Sequence, residues 1–197
     1  MPRSYRLARL LSDLLSPPVI ALAVFWVLAG ATGRAGRWPV FLTCAATQSV
    51  FPIAFLKAAV RSGRIGDVNM SRRAERRRGF LALGLVYVAG LALVILLGVR
   101  GPILFVCACT LAVVAVMWAV NLVYKASGHV AGMTAYMTAL SLFVEPLHPG
   151  LVLIPALSWA RVRAGAHTCL QVVWGALLGA AIALAFYAAF RSFFAAA

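Results

Sequence analysis

Apolar residues in this chain run in long blocks broken by short polar segments. Seven blocks stand out, at 17–31, 38–60, 80–99, 102–124, 129–145, 151–162 and 168–190. Helices that cross a bilayer need about 20 apolar residues, because lipid offers no partner to an unpaired backbone group. The pattern therefore predicts an all-α fold, a polytopic transmembrane bundle of six to seven helices. The number turns on the block at 151–162. With its flanks it covers about 15 residues, or about 22 Å at 1.5 Å per residue, and it contains Pro155. Residues 1–16 are basic and amphipathic and read as a lead-in to a retained first span, not a removable signal peptide. In the last block Gly175, Gly179 and Ala183 recur every four residues, a stripe that lets helices approach closely.

Composition agrees with the blocks. The 197 residues are 64% hydrophobic, against about half in an ordinary soluble domain. The longest polar stretch, the basic loop at 61–78, is too short for a second domain, so residues 1–197 read as one integral membrane domain. Cys44, Cys107, Cys109 and Cys169 all fall in apolar stretches. They read as small packed hydrophobes, with neither a disulfide framework nor a zinc pattern.

Charge adds a direction. Net charge is +14, from 18 Lys and Arg against four acids. The N-terminus, the loop at 61–78 and the segments at 125–129 and 160–171 are each separated by two blocks, so they share one side of the membrane. Fourteen of the cations lie on that side and Arg34, Arg37, Arg100 and Arg191 on the other. Setting aside Arg73, Arg76, Lys125 and Arg161 leaves ten against four, which places the shared side in the cytoplasm. The charge also suits an anionic lipid headgroup or a phosphorylated substrate. Nucleic acid is excluded as a partner, because the cations lie between spans and no soluble basic module carries them.

Candidate chemistry sits in three polar clusters on that side. In the first, Asp67 precedes Arg73 and Arg76, which are three apart and so share a helix face. Two guanidiniums on one face make a fork for phosphate oxygens, oriented by Asp67 or Glu75. In the second, Lys125 precedes Ser127, Gly128 and His129. Ser and Gly let the backbone approach a ligand, and a helix start offers N–H groups to an anion. His129 can then donate a proton. In the third, Arg161 precedes His167 and Gln171. One turn apart, Gln171 can accept from one ring nitrogen of His167 and leave the other as a nucleophile. His148 falls on the opposite side and reads as an interfacial loop residue. Glu145 reads as a loop acid, and Tyr124 and Trp159 as interface anchors.

The order of these clusters resembles the type 2 phosphatidic acid phosphatase superfamily, the membrane lipid phosphate phosphatases. Ser127-Gly128-His129 matches the end of the family's second motif. Ala160-Arg161-x5-His167-x3-Gln171 has the spacing of its third, Ser-Arg-x5-His-x3-Asp. Asp67-x5-Arg73-x2-Arg76 resembles the first motif of one branch. Three positions depart from the pattern: Ala126 stands for Pro, Ala160 for Ser and Gln171 for Asp.

The resemblance implies a phosphatase acting on a lipid phosphate monoester or diphosphate. A polyprenyl or lipid-linked sugar phosphate is favoured, processed through a phosphohistidine. His167 would be the nucleophile and His129 the acid. Arg73, Arg76, Lys125, Arg161 and the Ser127–Gly128 segment would bind the phosphoryl group, with Gln171 and Asp67 orienting. No cofactor or metal is implied. The partners expected are the lipid phosphate and the bilayer. Gln171, a neutral residue in an acid's place, points to one alternative: a catalytically weakened relative that binds or translocates a phospholipid. An isoprenoid-transferring enzyme would need paired Asp-rich motifs, and Asp13 and Asp67 are the chain's two aspartates.

Overall fold

In a computed structural model, residues 3–30, 33–67 and 73–195 are described. Among them every regular element is helical: α1 (Arg3–Leu14), α2 (Pro17–Ala29), α3 (Gly33–Ala45), α4 (Phe51–Arg61), α5 (Arg73–Leu96), α6 (Gly101–Val123), α7 (Gly128–Phe143), α8 (Leu153–Arg163) and α9 (Cys169–Ala195). The side chains of Arg73 and Arg76 lie outside the described residues, so the arginine pair of the basic loop is not placed.

All seven apolar blocks are helical, but their lengths differ. By length and composition four helical stretches can cross a membrane: Gly36–Arg61, Arg78–Leu96, Gly101–Val123 and Cys169–Arg191. The bent pair of α1 and α2, which meet at 49°, makes up to five. The expected six to seven spans counted apolar residues beyond the helix ends. Helix α7 has 16 residues and α8 has 11, about 24 Å and 16 Å of rise, both under the roughly 30 Å hydrocarbon core.

Proline sets the breaks. Pro17 and Pro18 occupy the first turn of α2, where a missing N–H costs nothing and the fixed φ suits helix entry. A π-turn at Ala46–Val50 joins α3 to α4, and the Phe51 N–H bonds back to the Ala46 carbonyl. Pro52 follows immediately and has no N–H to donate, so the ladder widens by one residue at that point.

Helix α7 is the centre of the bundle. Nine of its residues are buried, Tyr136, Met133 and Met137 among them, as expected of a helix apolar all round. It packs on α2, α6, α8 and α9. Its closest neighbour is α9, where the glycine stripe does the work. A Cβ at Gly175 would stand 2.6 Å from the Ser127 carbonyl oxygen, and one at Gly179 would collide with the Ala131 carbonyl. At the far end Phe105 packs against Phe143 at 4.9 Å and Phe190 at 5.4 Å between ring centres, distances at which edge-to-face pairs are favourable. Cys44, Cys107 and Cys109 are buried, as small hydrophobes should be. Cys169 instead is exposed, because it opens α9 on its outer side.

Candidate active site

The loop from α8 to α9 explains the spacing of Arg161 and His167. Helix α8 ends in a Schellman turn. Gly165 takes φ +70°, its N–H bonds to the Val162 carbonyl at 2.9 Å, and the Ala166 N–H bonds to the Arg161 carbonyl at 3.0 Å. The His167 N–H reaches the same carbonyl at 3.3 Å. The chain thus folds back over Arg161, and six positions in sequence become neighbours in space. Only glycine adopts that φ without strain.

Gln171 then joins the two histidine segments. Its side-chain Oε1 accepts from the Thr168 N–H at 3.2 Å and lies 3.2 Å from His167 Nδ1. An amide oxygen only accepts, so Nδ1 carries the hydrogen, the tautomer that in a neutral imidazole leaves the lone pair on Nε2. The backbone carbonyl of the same residue accepts from the Ser127 N–H at 3.1 Å. Ser127 is fully buried. It caps α7, with Oγ accepting from the Val130 N–H at 3.4 Å, the usual task of a serine before a helix.

These connections place His129, His167, Lys125, Gly128 and Arg161 on one cavity of about 510 Å³. They arrive from the C-terminal ends of α6 and α8, the N-terminal end of α7 and the loop before α9. Ser127, Gln171 and Asp67 do not line it. Ser127 and Gln171 act one layer out, through the contacts above, and Asp67 lies half-buried in the turn after α4. His148 also stays away. Its Nδ1 accepts from the Gly150 N–H at 3.1 Å, in the turn that opens α8's approach.

The cavity has two characters. Charged and imidazole groups gather at one end. From there the wall is mostly apolar, running past Phe80, Leu83, Val113, Met117 and Tyr136 as far as Ala139. From His129 to Ala139 along α7 is about 15 Å.

Two charged lining residues were not singled out by sequence reasoning: Asp13, at the end of α1, and Lys57, near the end of α4. One signal could have found Lys57. The chain uses arginine sixteen times and lysine twice, at 57 and 125, and both lysines line the cavity. Among the described residues no group of three or more His, Cys, Asp or Glu is arranged to hold a metal.

Residues 122–194 match the PAP2 superfamily. The match covers α7 to α9 and the end of α6, and so includes Lys125, His129, Arg161 and His167. It supports the superfamily, whose members are phosphatases, and with it a phosphoric ester hydrolase in general. It stops short of Asp67, Arg73 and Arg76. No curated protein and no solved structure matches the chain.

Proposed function

We propose that this protein is a membrane phosphatase that hydrolyses a lipid phosphate monoester or diphosphate through a phosphohistidine. One observation carries the reading. Two histidines and the cations Lys57, Lys125 and Arg161 line one cavity with a long apolar wall. That division suits a molecule with a phosphate head and a hydrocarbon tail, because each part meets groups that replace its own surroundings. Within that class we favour a polyprenyl or lipid-linked sugar phosphate.

In this scheme the Nε2 lone pair of His167 attacks phosphorus as the bond to the lipid oxygen breaks. His129 gives its proton to that oxygen, and the lipid alcohol leaves from a monoester or the lipid monophosphate from a diphosphate. Water then attacks phosphorus, passes a proton to His129, and the N–P bond breaks to free phosphate. Lys57, Lys125 and Arg161, with Arg73 and Arg76 from the basic loop, balance the charge on the phosphoryl oxygens. The first-turn N–H groups of α7 lack helical partners and add a dipole favourable to an anion. Asp67 orients the loop arginines. The arginine asymmetry supports a multi-pass protein of the plasma membrane with this end of the cavity at the cytoplasmic face.

The test is phosphate release by purified protein from a panel of lipid phosphates. Wild type is expected to turn over at least one, and His167→Ala to lose about 10³-fold or more in kcat. Equal release by the two proteins would sink the proposal. Gln171 favours one second reading, a relative that binds or translocates a phospholipid without hydrolysis, since a neutral amide stabilises imidazolium less than a carboxylate. Turnover by wild type excludes it.

A further inference from the structure

Helix α1 lies against α8 through a face of small residues. Ser4, Ala8 and Ser12 are four apart, so they line one side of the helix. Ala8 is fully buried. Each serine accepts a hydrogen bond from an arginine of α8. Arg163 Nη2 donates to Ser4 Oγ at 2.7 Å in an exposed position. Arg161 Nη1 donates to Ser12 Oγ at 2.7 Å, and here both residues are buried, at 3% and 4% exposure. The two contacts belong to the same helix pair, but they differ in what the arginine does. Arg161 lines the cavity and Arg163 does not.

An arginine has four side-chain torsions, and fixing them costs conformational entropy each time a ligand is held. A short, charge-assisted bond from one end of the guanidinium removes that freedom beforehand. Position 160, beside Arg161 on its own helix, is a buried alanine and offers no hydroxyl. The hydroxyl is supplied instead by a residue 149 positions away in sequence.

We propose that Ser12 is a positioning residue for Arg161, holding the guanidinium in the orientation that binds the phosphoryl group. This rests on the phosphatase reading above. Ser12 touches no reacting atom. It sets the affinity of the site for phosphate, and α1 is thereby part of the substrate site.

The experiment uses the full chain in phospholipid vesicles, with farnesyl phosphate as substrate and inorganic phosphate as a competing ligand. Ser12→Ala is expected to raise KM for farnesyl phosphate and the inhibition constant of inorganic phosphate together, each about tenfold. Its kcat is expected to fall less than about threefold. Ser12→Thr keeps the hydroxyl and should stay within about twofold of wild type. Ser4→Ala removes the sister contact and should also leave both constants unchanged. An unchanged KM in Ser12→Ala would overturn the proposal. So would an equal loss in Ser4→Ala, since the bond would then only dock α1. Ser12→Cys, similar in shape with a weak acceptor, serves the same comparison if Ser12→Ala does not fold. If wild type releases no phosphate, the phosphatase reading fails, and direct titration with inorganic phosphate decides the Ser12 role. Weaker binding by Ser12→Ala then supports it, and equal binding or none at all overturns it.

Discussion

The unit α7–α9 and the N-terminal helices α1, α2, α4 and α5 contribute to one cavity by different means. In α7–α9 the partners are close in sequence, and the packing runs backbone against backbone. Gly175 and Gly179 sit on the carbonyls of Ser127 and Ala131, and Gln171 ties two segments with one residue. Both histidines come from here, as does the match to the superfamily. The N-terminal helices are interrupted, by a 49° bend between α1 and α2 and by a π-turn before α4. They lend single side chains at their ends, such as Asp13 and Lys57. The first arrangement suits chemistry, which needs groups fixed to within about 0.5 Å. The second suits affinity and choice of ligand, which tolerate more movement.

If that division holds, perturbing the C-terminal unit should hurt most. Gly179→Val drives a branched side chain into the Ala131 backbone, which cannot yield. Overpacking costs typically about 1–3 kcal/mol and more where backbone must move. We expect a lowered Tm in detergent and loss of activity together. A fully active, equally stable Gly179→Val would break the comparison. Next in size is His129→Ala, expected to lower kcat by about 10²–10⁴-fold, the usual contribution of a general acid, with KM nearly unchanged. Lys57→Ala probes the N-terminal helices. It should raise KM about tenfold, as lost charge-assisted contacts do, and spare kcat. A kcat collapse in Lys57→Ala would show that the N-terminal helices take part in chemistry. The smallest effect is expected from Gln171→Glu, less than about tenfold in kcat, because a side chain of the same length keeps an oxygen for both Nδ1 and the Thr168 N–H.

Local regularities were the legible part. Long apolar runs marked every helix after the amphipathic α1, and the four-residue glycine stripe marked the face of α9 that lies close to a neighbour. The spacing from His167 to Gln171 could be read because a helical turn has fixed geometry, and that from Arg161 to His167 by resemblance to a family motif. Span lengths were not legible, since apolar residues continue past the ends of α7 and α8 into loops. Ser127 was read as a ligand contact beside Gly128 and His129, yet in the structure it caps α7, which a serine ahead of an apolar helix does by default. Ser12 and Asp13 left no pattern, and Lys57 only the rarity of lysine in an arginine-rich chain. Their roles depend on which helix ends meet, and a pair separated by 149 positions has no periodicity to betray it. The place of the Arg73 and Arg76 side chains rests on the sequence.

The bond from the Ser127 N–H to the Gln171 carbonyl has a consequence for how such a site can evolve. It is made by main-chain atoms, so the identity of the side chain at 171 does not enter it. The residue that holds His167 Nδ1 can therefore change between amide and acid while the two histidine segments keep their separation. A lineage can explore new reactivity at that position without first dismantling the architecture around it. That freedom gives a physical reason why a glutamine can stand at this position.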